Sequence, residues 1–467
     1  MPPLPYLEAL TDLKNDVTNK LGIRFDPWPL FVLCLAVLLT AFIFMPRQVS
    51  LAFSLALFLS PVWLPFLLRY GAVKLWYVHK RSEFIAKQTY ILLEMKPPRN
   101  LVKTPLAMEA FLAGIHLTGG ESTWYARFKG GIRPFYSLEI ASFEGQIHFY
   151  IWTRANLRRI IEGQLYAQYP GMQVVEAPDY TRLISAKPEE WLIWGCDFSP
   201  TNKNPIPIKT YVEYQLDTVQ KEPEQVDPLS NLIEFMSSIG KGEHIWLQFI
   251  IRTHNGERYG ATPGGKTSTR RNEEGRPYTW RDEGKEIIEA MRKKTRSPYI
   301  DPISGKEMAG FPNPTKGESE LMGAIDRNTA KLAFDVGIRG IYITKPEKFN
   351  IAMVTHMVGL FKPFSTGEGG WNGINSTKWM KRFDDYPWEI GVPKRKDHYR
   401  RKLVQAFRRR QFFYDPFFHD GLFGDETMIL STEELATVFH IPSGSVQAPG
   451  LARIHSTRYE APADLPV

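Results

Sequence analysis

The pattern in this chain that most directly suggests chemistry is GATPGGKT at Gly260–Thr267. It matches G-x-x-x-x-G-K-[ST], the loop that holds the phosphates of a bound nucleotide. Such a loop needs a strand directly before it and a helix directly after it, because the N–H groups of the helix N-terminus bind the phosphates. The strand expected here ends near Arg252, and STRRNEEGRPYTW follows the loop without an apolar stripe. We therefore predict that the match is coincidental and that the chain binds no cofactor. The defining positions are Gly260, Gly265, Lys266 and Thr267.

A run of basic residues between positions 394 and 410 is the second candidate site. One acidic residue, Asp397, interrupts it. Lysine and arginine bind phosphate groups, so contact with nucleic acid is one interpretation. A lipid-headgroup surface or a solvated helix face explains the same charges. The basic residues are Lys394, Arg395, Lys396, Arg400, Arg401, Lys402, Arg408, Arg409 and Arg410.

The remaining polar motifs give no active site. Asp415, His419 and Asp420 lie close together in DPFFHDG, but one histidine with two acids is a weak set of metal ligands, and we predict no metal. Two cysteines, Cys34 and Cys196, exclude a disulfide framework and a cysteine-based zinc site. The sequence has no G-x-S-x-G motif, no catalytic cysteine constellation and no paired-carboxylate signature. We therefore predict that the chain is not an enzyme.

Two uncharged runs near the N-terminus predict a transmembrane hairpin. They span residues 29–45 and 50–68, and each is close to the ~20 residues that a membrane-spanning helix needs. Pro61 and Pro65 should kink the second run, which membrane helices tolerate. Basic residues flank the hairpin on both sides, whereas the short connecting loop contains only Arg47. The positive-inside rule therefore places both termini and the main body in the cytoplasm.

Residues 133–170 carry the densest structural signal. Phe135–Ser142 and Gln146–Trp152 are rich in aromatic and β-branched residues, and Glu144-Gly145 between them suits a tight turn. Thr153 is the expected N-cap of a helix that follows. The segment therefore predicts strand, turn, strand and helix.

A looser copy of the strand-to-helix half begins near residue 332. Apolar residues alternate over positions 332–343, and Thr344 with Glu347 forms an expected capping box. A helical run precedes each copy, at residues 105–116 and 318–328. The predicted fold class is α+β, with an N-terminal two-helix transmembrane hairpin followed by a cytoplasmic body of two related α+β modules.

Composition and local patterns complete the predicted organisation. The 467 residues carry a net charge of +8 with 43% hydrophobic residues, which is typical of a globular chain and permits, without requiring, contact with anionic lipid or nucleic acid. The expected segments are residues 1–27, the hairpin 28–69, a helical neck 70–98, modules 99–199 and 200–375, and a basic segment with an extended tail 376–467. Further expected elements are a helix-like run over Val78–Glu94, strands at Met172–Glu176, Ile208–Leu216 and His244–Arg252, helices at Pro228–Ile239 and Trp280–Arg292, a polar insertion at 253–317, and a capping box at Ser431 and Glu434.

The order of these motifs resembles the membrane-anchored N-terminal region that precedes the motor in bacterial type IV secretion coupling ATPases, which act in conjugative DNA transfer. The resembling segments are residues 135–170, 178–181, 430–442 and 458–466. In that family such a tail leads into the nucleotide-binding domain, whereas this chain stops at Val467. No family nucleotide site is therefore carried over to any residue here.

The resemblance implies a non-catalytic scaffold or accessory component in the bacterial cytoplasmic membrane. It would act as a homo-oligomer beside a separate conjugation-class ATPase, with DNA contact possible but not required. Two alternatives remain open. One is an NTPase that uses residues 260–267, and the other is a membrane protein that binds DNA directly through residues 394–410.

Overall fold

The structure is a computed structural model that describes residues 27–98, 101–120, 124–217 except 186 and 188, 227–255, 272, 275–276, 278–300, 307–365, 370–377, 392–414, 427–443, 450 and 453. The chain divides into two units. The helical unit contains the N-terminal helices up to Ala86 and residues 124–131, and the sheet unit contains the other described residues.

Twelve α-helices lie in the described residues. They are α1 (Pro27–Phe44), α2 (Pro46–Phe58), α3 (Ser60–Lys87), α4 (Pro105–Gly114), α5 (Trp124–Phe128), α6 (Arg158–Gln168), α7 (Leu229–Ser237), α8 (Trp280–Lys294), α9 (Lys316–Ala330), α10 (Ile351–Val358), α11 (Val392–Arg409) and α12 (Thr432–Val438).

Eleven strands lie in the same part of the chain. They are β1 (Tyr90–Lys96), β2 (Phe135–Phe143), β3 (Gln146–Arg154), β4 (Gln173–Ala177), β5 (Leu192–Pro200), β6 (Glu243–Thr253), β7 (Arg296–Ile300), β8 (Glu307–Pro312), β9 (Ala333–Thr344), β10 (Ile374–Thr377) and β11 (Met428–Ser431).

The N-terminal helices follow the two predicted apolar runs. Of the helices in the described residues, none is by itself long and apolar enough to cross a membrane, but Leu35–Phe44 and Pro46–Phe58, bent by 110°, have the length and composition together. A break at Leu59 separates α2 from α3, two residues before Pro61. Proline is accepted in the first turn of a helix, so α3 starts there and continues into the predicted neck as far as Lys87.

One mixed α+β architecture is built on a large antiparallel sheet. In the described residues this sheet has nine strands: eight take the order β10-β5-β9-β6-β2-β3-β1-β4, and the ninth, β11, pairs with β9. Strands from both predicted modules lie in this one sheet. A separate antiparallel hairpin, β7–β8, lies in the predicted polar insertion.

The predicted β2–β3 hairpin is confirmed, and its turn has the expected chemistry. Glu144 and Gly145 have φ angles of 53° and 90°. Positive φ at both central residues is the requirement of a type I′ turn, which matches the twist of the two strands. A side chain at Gly145 would also come within 2.9 Å of the carbonyl oxygens of Ser237 and Ile239. Both the positive φ and this close approach therefore favour glycine at the position.

Two helix-start predictions are wrong by several residues. Thr153 belongs to β3, and the 3-10 turn Ala155–Leu157 comes before α6. Thr344 is the last residue of β9, and a second 3-10 turn precedes α10. The cap of α10 is instead Asn350, whose side-chain oxygen accepts a hydrogen bond from the N–H of Ala352 at 2.9 Å. A strand can thus run past a potential cap when its neighbours continue to pair with it.

Two other predictions are wrong because their segments pack differently from the expected element. The helix-like run ends at Lys87, and Tyr90–Lys96 forms β1 between β3 and β4. The predicted strand at Ile208–Leu216 consists of coil and turns. Two of its N–H groups bond to α12: Ile208 donates to Glu434 at 3.1 Å and Tyr211 to Thr437 at 3.0 Å. The N–H of Lys209 donates to the carbonyl oxygen of Phe364 at 2.9 Å, and further N–H groups bond within the segment.

The main core lies on one face of the sheet. A row of directly opposed apolar residues crosses six strands, and side chains from α4, α6, α7, α10 and α12 pack in the same core. Residues that are directly opposed in neighbouring strands lie on the same face, so the row marks the apolar face. Its members are Leu93, Ile151, Leu138, Phe249, Ile338 and Phe198.

The capping box predicted for α12 is confirmed and is fully buried. The hydroxyl of Ser431 accepts a hydrogen bond from the N–H of Glu434 at 3.2 Å, and the Glu434 carboxylate accepts one from the N–H of Ser431 at 3.0 Å. Burial raises the pKa of Glu434 to about 7, although these hydrogen bonds oppose the shift. The carboxyl group therefore gains a proton near neutral pH.

We predict that Glu434→Gln reduces the loss of stability between pH 5 and pH 8. A carboxyl group whose pKa is higher in the folded chain than its ordinary value of 4.5 favours folding at low pH, and this contribution is lost as the pH rises through 7. Between pH 5 and pH 8 the free energy of unfolding of wild type should fall by about 2 to 3 kcal/mol more than that of the variant. Urea unfolding at several pH values measures it.

The matched control is Glu318→Gln, at the same position of the α9 capping box with Thr315. Hydrogen bonds from Thr315 lower the pKa of Glu318, so this change should leave the slope between pH 5 and pH 8 unaltered. Equal slopes for wild type and Glu434→Gln would contradict the prediction.

Candidate functional site

The predicted basic segment forms α11, and its residues divide between two environments. Tyr399, Leu403 and Phe407 face the sheet and are buried. Lys394, Arg401, Arg408 and Arg409 are exposed, whereas Arg395, Lys396, Arg400 and Lys402 are half-buried. The helix is thus amphipathic, with an apolar side against the protein and a basic side towards solvent.

A row of polar residues crosses the sheet beneath α11. Each member is the chain neighbour of a member of the apolar row, so it lies on the opposite face of the sheet. Pairing in register places the side chains next to one another across six strands. The row consists of Glu94, Tyr150, Glu139, Gln248, Arg339 and Asp197. We call it the polar row.

Arg410, directly after α11, neutralises the centre of the polar row. Its guanidinium contacts both Glu139 carboxylate oxygens, at 2.9 and 3.2 Å, and both Asp179 oxygens, at 2.6 and 3.0 Å. The hydroxyl of Tyr180 donates to Glu139 at 2.7 Å, and the amide of Gln248 donates to it at 3.2 Å. Arg410 is 1% exposed. These contacts fix α11 to the sheet at its C-terminal end.

The geometry around Arg410 requires an unusual backbone and shifts the pKa values of its partners. Arg410 has a φ of 47°, in the left-handed region that often ends a helix. Burial raises the pKa of Asp179, but hydrogen bonds and the charge of Arg410 outweigh burial and hold that pKa below its usual range. Burial likewise lowers the pKa of Arg410, and the charge of Glu139 reverses the shift. Asp179 and Arg410 therefore stay ionised.

A second ion pair lies further along the polar row. Arg339 donates to Asp197 at 3.0 Å, and both side chains are buried. The guanidinium of Arg339 lies 5.7 Å from the ring of Phe407 and 5.5 Å from the ring of Phe412. A side chain added at Gly195 would come 2.7 Å from Leu403 of α11, so the helix lies directly on the sheet here.

A third buried cluster occupies the ends of β6 and β9, where the polar insertion begins. Asp335 accepts hydrogen bonds from Arg252 at 2.6 Å and from His254 at 2.8 Å. Burial raises the pKa of Asp335, but the charge of Arg252 and the His254 contact hold it well below its usual range. The Nε2 atom of His254 has no partner among the described residues. This carboxylate–histidine hydrogen bond orients the imidazole ring of His254.

The structure divides the sequence-predicted basic residues by role. Arg408 donates to the carbonyl oxygens of Thr181 and Ile184, at 3.2 and 2.6 Å. Arg400 lies 3.5 Å from Asp397. Arg410 was expected on a nucleic-acid or lipid surface, and its burial corrects that expectation. The nucleic-acid or lipid surface predicted from the sequence therefore keeps only the basic residues that face solvent, among them Lys394, Arg401 and Arg409.

The other predicted motifs lie outside the described residues. These are Gly260–Thr267, with the phosphate-loop pattern, and the group Asp415, His419 and Asp420. Among the described residues, no group of three or more histidine, cysteine, aspartate or glutamate side chains is placed to hold a metal ion.

The sequence analysis did not predict that charged residues are buried and paired inside the sheet, although the sequence contains a pattern that indicates it. Glu139, Asp197 and Arg339 each interrupt an apolar strand, in SLEIAS, GCDFS and GIRGI. A single charge at such a position predicts a buried partner, because an unpaired charge in a dry interior is costly. Sequence alone cannot tell which distant residue supplies that partner.

Residues 79–453 match a family described as Domain of unknown function (DUF8128). The chain belongs to this family. The DUF8128 match begins within α3 and covers every strand of the sheet and α11. No curated protein matches the chain.

We predict that Arg410→Met destabilises the sheet unit by about 3 to 5 kcal/mol, because it leaves Glu139 buried without its cation. Backbone strain does not explain the loss, since methionine and arginine have the same difficulty at positive φ. Denaturant unfolding of the detergent-solubilised chain measures it.

Arg409→Met is the matched control, since Arg409 is the exposed neighbour. Its stability should change by at most about 0.5 kcal/mol. If both variants lost the same small amount, Arg410 would not be the residue that holds α11.

Proposed function

We propose that the chain is a non-catalytic, membrane-anchored accessory or scaffold component of a type IV secretion or conjugation-like DNA translocation system. It acts with a separate ATPase of the conjugation class and assembles as a homo-oligomer. The helical unit anchors it in the bacterial cytoplasmic membrane, with both termini and the sheet unit in the cytoplasm. The sequence resemblance described above supports the choice of system.

The observation that carries the membrane anchor is the exposure of large apolar side chains along α1 to α3. Phe44 and Phe58 are 78% and 81% exposed. Soluble proteins rarely expose contiguous apolar surface on this scale, and a bilayer is the environment that favours it. Further exposed side chains of this kind are Phe42, Ile43, Leu51, Phe53, Leu57, Phe66 and Leu68.

We further propose that the body contains a duplicated module. β3 leads into α6 through the 3-10 turn Ala155–Leu157, and β9 leads into α10 through the 3-10 turn Pro346–Lys348. A helix, α4 or α9, precedes each copy. The shared strand, short turn and helix support a common origin of the two halves of the sheet.

The partner proposal is tested by purifying the chain from gently solubilised membranes of its host and identifying bound proteins by mass. We expect a conjugation-class ATPase to co-purify, and the chain without this partner to hydrolyse no ATP. Lys266→Ala should then behave as wild type, because the phosphate-loop pattern has no role. A chain that purifies alone and hydrolyses ATP, with hydrolysis abolished in Lys266→Ala, would replace the proposal with the NTPase alternative.

Direct DNA binding is a second candidate function. The exposed side of α11 favours it, because Lys394, Arg401 and Arg409 lie on one solvent-facing helix surface. Phosphate contacts release counterions, so affinity for duplex DNA should fall steeply with salt. Arg401→Glu should weaken binding of all sequences alike and reduce the salt slope by about 1.

The measurement is fluorescence anisotropy with a labelled duplex over a range of salt concentrations. Arg292→Glu, at an exposed position of α8, is the charge-matched control and should leave binding unaltered. No binding of wild type at low salt would remove this candidate function.

A further inference from the structure

A short helix docks on the long helix α3 within the helical unit. The indole N–H of Trp76 donates to the carbonyl oxygen of Phe128 at 3.1 Å, and the two rings lie 5.4 Å apart. Tyr77 meets Phe128 edge to face at 6.3 Å. Gly130 has a φ of 82°, and a side chain there would come 2.3 Å from the carbonyl oxygen of Lys80. The contacts hold α5 and its following turn against α3.

The docked segment lies where the character of α3 changes. Exposed apolar residues continue along the helix to Leu75 and Trp76, which are 41% and 40% exposed. Charged residues begin at Arg69 and continue with Lys74, Lys80 and Arg81, so the apolar and charged parts of the helix overlap around Trp76. A helix that leaves a bilayer has this order of residues, with an aromatic residue at the boundary.

The side chains around this boundary combine aromatic rings with cations. Tyr125 is 58% exposed, and the amino group of Lys129 lies 4.2 Å from the centre of its ring. The amino group of Lys80 lies 5.1 Å from the ring of Trp76. Over residues 69–86 and 124–131 the only acidic residue in the sequence is Glu83. The basic residues of the same two segments are Arg69, Lys74, Lys80, Arg81, Arg127 and Lys129.

We propose that α5, Lys129 and the part of α3 around Trp76 bind the headgroup region of an anionic phospholipid bilayer. We call this surface the interfacial collar. Tryptophan and tyrosine favour the headgroup level because one end of each ring system is polar and the other apolar. Lysine and arginine near the surface add attraction to anionic lipid. The collar fixes the depth at which α3 leaves the membrane.

Two features favour lipid over a protein partner at the collar. It is continuous along α3 with the exposed apolar helices, and its charge is complementary to an anionic leaflet. The inference rests on the membrane anchoring in the proposed function, but it adds a specific lipid class and a specific depth.

The test places a nitroxide label at Ala126→Cys in a Cys34→Ser background, where the remaining Cys196 is buried. The full-length chain is reconstituted in phosphatidylcholine vesicles with and without phosphatidylglycerol. Accessibility to oxygen and to a water-soluble nickel chelate then reports the depth of the label. Alkaline carbonate extraction of the same samples reports membrane anchoring independently.

We expect the label to lie at the headgroup level. Phosphatidylglycerol should increase the fraction of the label that is bound at the membrane surface and not exposed to water. Lys129→Glu should lower the ratio of membrane-bound to water-exposed label by about fivefold or more in the anionic vesicles. Lys129→Arg, which keeps the positive charge, should give the same ratio as wild type. Lys316→Glu, at a fully exposed lysine of α9, is the control and should have no effect.

A label that is equally water-exposed in both lipids and unaffected by Lys129→Glu, in a chain that still resists extraction, would overturn the collar and leave the anchor standing. Release of the chain by carbonate would instead overturn the membrane anchoring in the proposed function, and the collar with it.

Discussion

The buried charge of Glu139 is the constraint on which the sheet unit depends. This carboxylate lies in the centre of a wide sheet, where an unpaired charge would be strongly unfavourable. Its cation, Arg410, lies 271 positions away in the sequence. Arg410 reaches it only because α11 ends there in a left-handed backbone conformation, and because Asp179 and Tyr180 complete the same cluster. The Arg410 cluster thus joins the covering helix, the sheet and the segment after β4.

The amphipathic helix α11 covers one face of the sheet, and the main apolar core lies on the other face. Six neighbouring strands each place an apolar residue on one face of the sheet and, at an adjacent position in the chain, a polar residue on the other face. These strands are β1, β3, β2, β6, β9 and β5. The inward side of α11 supplies apolar contacts and its end supplies Arg410. Its outward basic residues are not needed for these contacts, so they are the ones available to a partner of negative charge.

Local patterns in the sequence predicted local structure well. The β2–β3 hairpin and the α12 capping box follow from a few neighbouring residues, and both are confirmed. The segment 178–181, which contributes to the resemblance, contains two residues that contact the Arg410 cluster. The sequence could not predict β1 as a strand paired on both sides, because its partners β3 and β4 lie far away along the chain. Ile208–Leu216 likewise has the composition of a strand, but its N–H groups bond within the segment and to the distant residues Phe364, Glu434 and Thr437.

The most direct test of the central claim is a double-mutant cycle between Glu139 and Arg410. The free energy of unfolding is measured for wild type, Glu139→Gln, Arg410→Met and the double variant. Our account predicts a coupling of more than about 2 kcal/mol, since removing both charges is much less harmful than removing one. Additive effects within about 0.5 kcal/mol would contradict it, and would mean that α11 is held to the sheet by its apolar contacts alone.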